Sequence, residues 1–238
     1  MAVKSILGYC PICEGRTIFE IHGPWYRDEL LCEGCGSIPR ERALATVLNR
    51  VIPSYKKLAI HESSPVARGI SLKLKNTCKK YIASQYYPNT SDAKIGEFFN
   101  INLEKQSFRD ASFDVFIALD VMEHIFDPES AIKEIYRTLK PDGYAFMTFP
   151  INKAQVKPLE PRAELLGFEI NYIKEPEFHG NPIDSNGSLV IVEYGYEIHQ
   201  EISRWAPLDV EIIRFSRNDI GVIGEFTEVI VCKKSIWE

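Results

Sequence analysis

The clearest pattern of hydrophobic and polar positions runs from Phe113 to Pro150. The apolar run Val115–Leu119 is bounded by aspartates and is too short for a helix, so it predicts a strand buried on both faces. Apolar side chains then recur at helical spacing over residues 128–140, with Asp127 as the N-cap and a proline at the first helical position. A proline-aspartate-glycine turn at residues 141–143 ends this helix, and a second apolar strand follows. The pattern predicts a βαβ unit and therefore a parallel sheet.

Weaker patterns predict the other elements. Residues 39–51 have the periodicity of a helix, and short apolar runs at residues 58–62 and 80–84 predict two more strands. Towards the C-terminal end, the apolar and alternating runs at residues 210–215 and 227–232 predict an antiparallel pair of strands. Strands and helices therefore alternate along most of the chain, which indicates the α/β class.

Composition and charge narrow the class further. The chain of 238 residues is 45% hydrophobic, which is enough for one core domain and a small appendage. It has no run of about eighteen apolar residues, and its first residues lack a cleavable signal pattern, so we expect a soluble cytoplasmic protein without a membrane partner. The net charge is -5, and residues 1–50 carry six basic and six acidic side chains, which argues against nucleic acid as a partner. The sequence leaves the oligomeric state open.

Four of the six cysteines form a metal-ligand pattern. Cys10 and Cys13 make one CxxC pair, and Cys32 and Cys35 make a second pair after eighteen intervening residues. Two such pairs can present four thiolates tetrahedrally, which predicts a zinc ribbon with a structural, non-catalytic zinc ion. Metal binding would contribute on the order of 10 kcal/mol to folding a segment too small for its own core. A redox dithiol and an iron site are the alternatives.

Polar side chains follow the first strand of the βαβ unit. Asp120, Glu123 and His124 lie in the loop directly after Leu119. Open α/β sheets bind ligands beyond the carboxyl ends of their strands, so this loop is expected to line a site.

These motifs resemble a known family. In order, Phe-Asp-Val at 113–115, Val-Met-Glu-His at 121–124, Leu-Lys-Pro-Asp-Gly at 139–143 and Pro150 resemble the second half of a class I S-adenosylmethionine-dependent methyltransferase, of the methyltransferase type 11 kind. Through His-Glu-Ser-Ser-Pro at 61–65 and Tyr-Ile-Ala-Ser at 81–84, the chain also resembles a subgroup of these enzymes that carries a zinc ribbon. The resemblance implies a Rossmann-like α/β fold, with a seven-stranded, mostly parallel sheet, helices on both faces and a small N-terminal zinc ribbon. An ordinary βαβ unit with solvated loop charges is the alternative.

Pattern and resemblance together divide the chain. We predict a zinc ribbon over residues 1–38, a linking helix over 39–52 and a class I methyltransferase domain over 53–238. Within that domain, residues from about 151 to 190 are polar and punctuated by glycine and proline, so they are expected to form an insertion that contributes the acceptor pocket.

The resemblance also implies positions that bind S-adenosylmethionine. The loop after the first strand lacks the family's glycines, so we expect Ser63 and Ser64 to allow close backbone approach and Glu62 to engage the cofactor's ammonium group. The ribose position, where the family has a carboxylate, falls on Ser84 or Gln85. The other expected cofactor contacts are Asn102 and Leu103 at the adenine position, together with Asp120 and Glu123. For Asn102, a capped loop is an equal alternative.

Methyl transfer requires alignment of the acceptor with the methyl group, and a base only where the acceptor must lose a proton. We predict His124 as that base, with His179 as the second choice and Asp120 orienting the imidazole or the acceptor. The alternatives are loop capping for His179 and positioning of the helix and cofactor for the Glu-His loop. The predicted function is O- or N-methylation of a small or medium-sized acceptor in a biosynthetic or tailoring pathway. An RNA base methyltransferase and a non-catalytic binding protein with this fold stay open.

Overall fold

A small antiparallel sheet begins the chain in this computed structural model, which describes residues 4–181 and 183–235. Its strands are β1 (Lys4–Cys10), β2 (Gly15–Ile21) and β3 (Leu30–Cys32), with the short helix α1 (Tyr26–Glu29) before β3. The helix α2 (Pro39–Val51) follows, with the bounds that its periodicity predicts. Its start is sharp because Pro39 occupies the first turn and the Glu41 carboxylate accepts the Ile38 N–H at 3.2 Å.

Strands and helices alternate in the next part of the chain. β4 (Ala59–Ser63), α3 (Gly69–Thr77) and β5 (Lys80–Gln85) lead to a short hairpin of β6 (Lys94–Ile95) and β7 (Phe98–Asn100). The expected βαβ unit consists of β8 (Phe113–Leu119), α4 (Pro128–Thr138) and β9 (Leu139–Thr148). Asp127 caps α4 as predicted, since its carboxylate accepts the Ser130 N–H at 3.0 Å. Residues 141–143 do not end the helix as expected; they bulge within β9, where Asp142 has a φ of 60°.

Short strands fill the stretch predicted as an insertion. They are β10 (Ile151–Asn152), β11 (Leu159–Pro161), β12 (Ala163–Leu166), β13 (Glu169–Tyr172), β14 (Phe178–His179), β15 (Ser188–Leu189) and β16 (Val192–Gly195). β10, β16 and β11 form one small sheet, while β12 pairs with β13 and β14 pairs with β15. The Tyr194 hydroxyl donates to the Met122 carbonyl at 2.9 Å, and the Ile191 N–H donates to the Glu123 carbonyl at 2.8 Å. These bonds hold the insertion against the loop after β8.

The central sheet is completed by the end of the chain. After α5 (Ile198–Trp205), the strands β17 (Asp209–Ile213) and β18 (Val229–Lys233) form the expected antiparallel pair. The strand order is β17-β18-β9-β8-β4-β5-β7-β6, and the run from β9 to β7 is parallel. This confirms the Rossmann-like, mostly parallel sheet. An eighth strand, the two-residue β6, extends the seven predicted strands at one edge.

Both faces of the sheet are covered by helices, as predicted. Val115 and Ile117 of β8 pack in a hydrophobic core with α2 and α3, whereas Phe116 and Ala118 pack with α4 and α5 on the opposite face. The carboxyl ends of β4 and β8 therefore meet at one edge, at the point where the strand order reverses. Within the described ranges, no helix is long and apolar enough to cross a membrane.

Candidate functional site

The four predicted metal-binding cysteines converge beside the β1–β2 hairpin. Cys10 Sγ lies 3.8 Å from Cys35 Sγ, and Cys13 Sγ lies 3.8 Å from Cys32 Sγ. Sulfur atoms at about 2.3 Å from a zinc ion, in tetrahedral geometry, stand about 3.8 Å apart, so the spacing fits a tetrathiolate zinc site. The cluster could thus hold a metal ion without rearrangement of the backbone.

Local backbone geometry and hydroxyl groups support this cluster. Each CxxC pair is followed by a left-handed residue, Glu14 with a φ of 59° and Gly36 with a φ of 66°. Each of these residues donates its N–H, at 2.8 Å, to the carbonyl of the first cysteine of its pair. Thr17 Oγ1 lies 3.4 Å from Cys32 Sγ, and Ser37 Oγ lies 3.1 Å from Cys35 Sγ. Hydroxyl groups at such distances can orient thiolate ligands.

The cysteine module lies against the carboxyl edge of the central sheet. The Asp120 carboxylate oxygen Oδ2 accepts from Arg27 Nη2 at 2.6 Å and from Arg40 Nε at 2.7 Å. The Gly69 N–H, at the start of α3, donates to the Cys35 carbonyl at 3.0 Å. Sequence reasoning did not single out Arg27 or Arg40, because the pairing spans residues far apart in the chain. The ion pairs neutralise Asp120, which was predicted to orient the base or acceptor.

The glycine-poor loop after β4 adopts the turn that the family obtains with glycine. Ser64 has a φ of 54°, in the left-handed region, and its N–H donates to the Ser84 carbonyl at 2.8 Å. Ser63 is buried at the end of β4. The loop backbone therefore turns sharply, as close approach to a cofactor requires.

The two predicted ribose residues differ in their surroundings. The Ser84 hydroxyl lies 2.7 Å from Nε2 of His61, inside the core. His61 packs against Phe108 and Phe113, and burial lowers its pKa to about 3, so it stays neutral. Gln85 is the last residue of β5 and lies at the sheet edge. The Ser84 hydroxyl therefore already has a partner inside the core, while Gln85, also buried, is at the end of the strand.

Glu62 is enclosed below the loop. Its carboxylate accepts from the Ser71 hydroxyl at 2.5 Å and from the Tyr81 hydroxyl at 2.7 Å. Burial raises the pKa of Glu62 to about 7 in spite of these two bonds. The carboxyl group links β4 to α3 and β5. Its predicted contact with the ammonium group of the cofactor would therefore be made from the core side of the loop after β4.

The predicted adenine position lies in the loop after β7. Asn102 Oδ1 accepts the Glu104 N–H at 2.9 Å, which is the loop-capping arrangement left open by the sequence. Leu103 beside it is buried. The capping bond occupies the amide oxygen of Asn102, so a base contact would involve the amide nitrogen.

Glu123, His124 and His179 come together beneath the insertion. Their potential ligand atoms all lie within 4.8 Å of one another, although His179 is in β14 and the other two follow β8. His124 Nδ1 lies 2.7 Å from the Leu189 carbonyl, and His179 Nδ1 lies 3.7 Å from Glu123 Oε1. The nearby Glu123 carboxylate raises the pKa of His179. The structure thus brings both predicted base candidates into one cluster.

A separate cavity of about 530 Å³ lies beside β5, lined by residues such as Lys75, Tyr81 and Phe99. None of the predicted site residues is in its lining. The chemistry therefore points to the carboxyl edge of the sheet and not to this cavity, since the carboxylate and imidazole groups lie there.

Comparisons with known proteins identify the family of one part of the chain. Residues 70–147 match the family of the methyltransferase domain, and this match spans α3, β5, β8 and β9. The chain contains a class I S-adenosylmethionine-dependent methyltransferase domain. The match begins at Ile70. The loop after β4, which lacks the glycines usual in the family, therefore lies outside the matched residues. No curated protein matches the chain in sequence.

Solved structures share the fold of this methyltransferase. A chain in the complex between the Haloferax volcanii Trm112 methyltransferase activator and a methyltransferase is 15% identical, with a TM-score of 0.54 over 84% of this chain and 91% of that chain. An S-adenosylmethionine dependent methyltransferase from Mesorhizobium loti is 10% identical, with a TM-score of 0.52 over 80% and 97%. The PH0226 protein from Pyrococcus horikoshii is 16% identical, with a TM-score of 0.51 over 82% and 89%.

The buried carboxyl group of Glu62 makes the stability of the methyltransferase depend on pH. Its folded-state pKa of about 7 lies above the unfolded value of about 4.3, so the folded state binds more protons between these values. The stabilisation is complete below about pH 4 and is lost as the pH rises through about 7, by about 4 kcal/mol in all. Urea unfolding at pH 5 and pH 8 should show this loss in the wild type and a smaller one in Glu62→Gln. The exposed Glu97→Gln serves as the control, and equal losses in all three proteins would contradict the assignment.

Proposed function

We propose that the protein transfers the methyl group of S-adenosylmethionine to an oxygen or nitrogen atom of a small or medium-sized acceptor, in a biosynthetic or tailoring pathway. The observation that carries this proposal is the cluster of Glu123, His124 and His179 at the carboxyl end of β8. The cluster is adjacent to the strand-order reversal, and the insertion covers it, so polar groups converge where a ligand is expected.

The residues at the sheet edge fit the cofactor. S-adenosylmethionine supplies a methyl carbon on a positively charged sulfur, and the protein has to bind and orient it. The left-handed turn at Ser64 permits close approach, and we assign the ribose contact to Gln85, the last residue of β5. Arg27 Nε is buried and has no partner in the part of the chain that the structure describes. We assign Arg27 to the methionine carboxylate of the cofactor, since an anion would satisfy this donor.

The remaining predicted contacts complete the proposed cofactor site. Glu62 bonds to α3 and β5 below the loop and Ser63 precedes the turn, while we assign the adenine contacts to Asn102 and Leu103. Asp120 contributes through its ion pairs, which hold Arg27 and Arg40 at the edge of the site. Each group therefore has a positioning role that does not require it to react.

In this proposal, the histidines accept the proton that the acceptor loses. The Nδ1 of His124 donates to the Leu189 carbonyl, so Nε2 carries the lone pair and faces away from that bond. His179, next to Glu123, is the second group that can hold a proton here. The acceptor would bind between these rings and the cofactor loop.

We also propose that Cys10, Cys13, Cys32 and Cys35 hold one structural zinc ion, and that residues 1–38, 39–52 and 53–238 are the ribbon, the linking helix and the methyltransferase domain, with an acceptor-site insertion at about 151–190. The 3.8 Å sulfur spacings support the zinc proposal. None of the six cysteines forms a disulfide, which fits a reducing compartment such as the cytoplasm, where thiols persist.

Calorimetric titration with S-adenosylmethionine and S-adenosylhomocysteine tests the proposal. We expect micromolar binding, which is worth about 8 kcal/mol. Ser64→Gly should bind at least as tightly, because glycine adopts the left-handed turn freely, whereas Ser64→Val should bind at least about tenfold more weakly. Ser107→Val, at an exposed position, is the control. If the wild type binds neither compound, the transferase proposal fails and the non-catalytic binding function takes its place.

The class of acceptor is tested with an isotopically labelled methyl donor. The enzyme is incubated with a small-molecule extract and, separately, with total RNA. We expect label in the small-molecule fraction, since residues 1–50 carry equal numbers of basic and acidic side chains. Label in RNA alone would replace the small-molecule acceptor with the RNA base alternative.

A further inference from the structure

Glu123 is the least satisfied charged group near the site. Its side chain is 2% exposed, and both carboxylate oxygens lack a hydrogen-bond partner among residues 4–181 and 183–235. Burying a carboxylate without a partner costs several kcal/mol. Its Oε1 lies 3.7 Å from His179 Nδ1, and among the described residues no arginine or lysine forms an ion pair with it. A cation or a strong donor that is not part of the polypeptide would remove this cost.

The two histidines are held as metal-ligating histidines usually are. His124 donates Nδ1–H to the Leu189 carbonyl at 2.7 Å, which leaves the Nε2 lone pair free. His179 has Glu177 Oε1 at 3.5 Å from Nε2, while its Nδ1 faces Glu123 at 3.7 Å. His124 thus has a hydrogen-bond partner outside the cluster, and His179 has a carboxylate on each side of its ring, one of which is Glu123.

The charged side chains around the cluster and the orientation of its two rings also fit a bound cation. Arg162 Nη2 lies 3.3 Å from Glu177 Oε2, so the outer carboxylate of His179 is itself restrained. The nearby Asp120 is paired with two arginines, so it does not compete with Glu123 for a cation. The His124 and His179 rings are nearly perpendicular, at 87°, with centroids 5.4 Å apart. Small rotations of these rings would bring both nitrogens and one carboxylate oxygen to about 2.1 Å from a common centre.

We propose that Glu123, His124 and His179 bind a divalent first-row metal ion, in a second metal site that is separate from the cysteine cluster. Two imidazoles and one carboxylate on one side of the ion leave further coordination positions open. The donor set suits Mn²⁺, Fe²⁺ or Zn²⁺ and differs from the closed tetrathiolate of the ribbon, which has none of these ligand types.

The role of the metal rests on the proposed methyl transfer. An acceptor hydroxyl bound at an open position becomes more acidic and loses its proton to solvent. Its oxygen then forms a bond to the methyl carbon as the carbon–sulfur bond breaks, and that electron pair stays on sulfur to give S-adenosylhomocysteine. In this arrangement the histidines are ligands, and the ion performs the activation that His124 would otherwise perform as a base.

Mn²⁺ is the probe, because it prefers nitrogen and oxygen ligands to thiolates and leaves the cysteine cluster unaffected. Zinc-loaded protein is titrated with Mn²⁺, and free Mn²⁺ is measured by electron paramagnetic resonance. We expect one Mn²⁺ per chain in the wild type. Glu123→Gln and His179→Asn should each weaken binding at least about tenfold. His199→Asn, on α5, is the matched control and should bind as the wild type does.

Stability gives an independent readout. Without Mn²⁺, Glu123→Gln should unfold at the same temperature as the wild type or higher, because the substitution removes an unpartnered buried charge. With Mn²⁺, only the wild type and His199→Asn should gain stability. Equal Mn²⁺ affinity in the wild type and Glu123→Gln would overturn the metal site. The result does not depend on S-adenosylmethionine binding, so failure of the methyl-transfer proposal would be seen separately in the cofactor titration.

Discussion

Loss of the metal ion from the ribbon is expected to destabilise the whole protein and not only the ribbon. Cys32→Ser, or treatment with a strong chelator, should remove the ion and with it on the order of 10 kcal/mol of folding free energy for residues 1–38. The ribbon also supplies Arg27 to Asp120 and the Cys35 carbonyl to the start of α3. We therefore expect the thermal midpoint of the whole protein to fall, along with the affinity for S-adenosylmethionine.

Zinc content and thermal unfolding are measured on the same samples. Cys78→Ala is the matched control, because Cys78 is buried but lies outside the cluster; it should keep one zinc ion and lose only about 1 kcal/mol. Retention of one zinc ion by Cys32→Ser, or an unchanged midpoint after complete removal of zinc, would refute the structural role.

Arg42→Ala is expected to cost about 4 kcal/mol, because it leaves several buried carbonyl groups without a donor. The guanidinium is fully buried; it donates to the Gly221 carbonyl at 2.7 Å, to the Leu30 carbonyl at 3.0 Å and to the Ser37 carbonyl. It also lies over the Phe19 ring, 4.5 Å from its centroid. Burial lowers the pKa of Arg42 to about 10, which keeps it charged at neutral pH.

Urea unfolding with Arg50→Ala as the control measures this effect. Arg50 is on the same helix and is exposed, so its replacement should change the free energy of unfolding by less than about 0.5 kcal/mol. A loss below about 1 kcal/mol in Arg42→Ala would show that water replaces the guanidinium. Such a result would mean that the ribbon is not fixed to the domain by this side chain.

The elements that could be predicted from the sequence are those with a local cause. The helix at residues 39–51 and the strand at residues 115–119 follow from periodicity and capping within about ten positions; the structure has both, with the strand beginning earlier, at Phe113. The end of α4 could not be predicted in this way. Pairing of β9 with β8 and β18 draws residues 139–143 into a bulged strand, so contacts distant in sequence determine where the helix ends.

Only part of the candidate site could be predicted from the sequence. Glu123 and His124 are adjacent in the chain and follow a recognisable strand, so their place at the sheet edge could be expected. That His179 joins them depends on how the insertion packs, which no local pattern encodes. The same holds for Arg27 and Arg40, whose partner Asp120 is on another element. The sequence does not indicate which of the charged residues at positions 1–50 are buried.

The contact between Arg42 and Gly221 joins positions that are 179 residues apart. During translation, at about 5–20 residues per second, the ribbon and α2 are complete roughly 10 to 35 s before the last strands that they contact. Until then, Arg42 lacks the Gly221 carbonyl to which it donates, and the hydrophobic side of α2 cannot pack against the complete sheet. All four cysteines lie within the first 35 positions. A metal ion bound to them would keep this segment folded until the strands that it contacts have been synthesised. A metal-bound ribbon would then dock as a preformed part once β17 and β18 have been made.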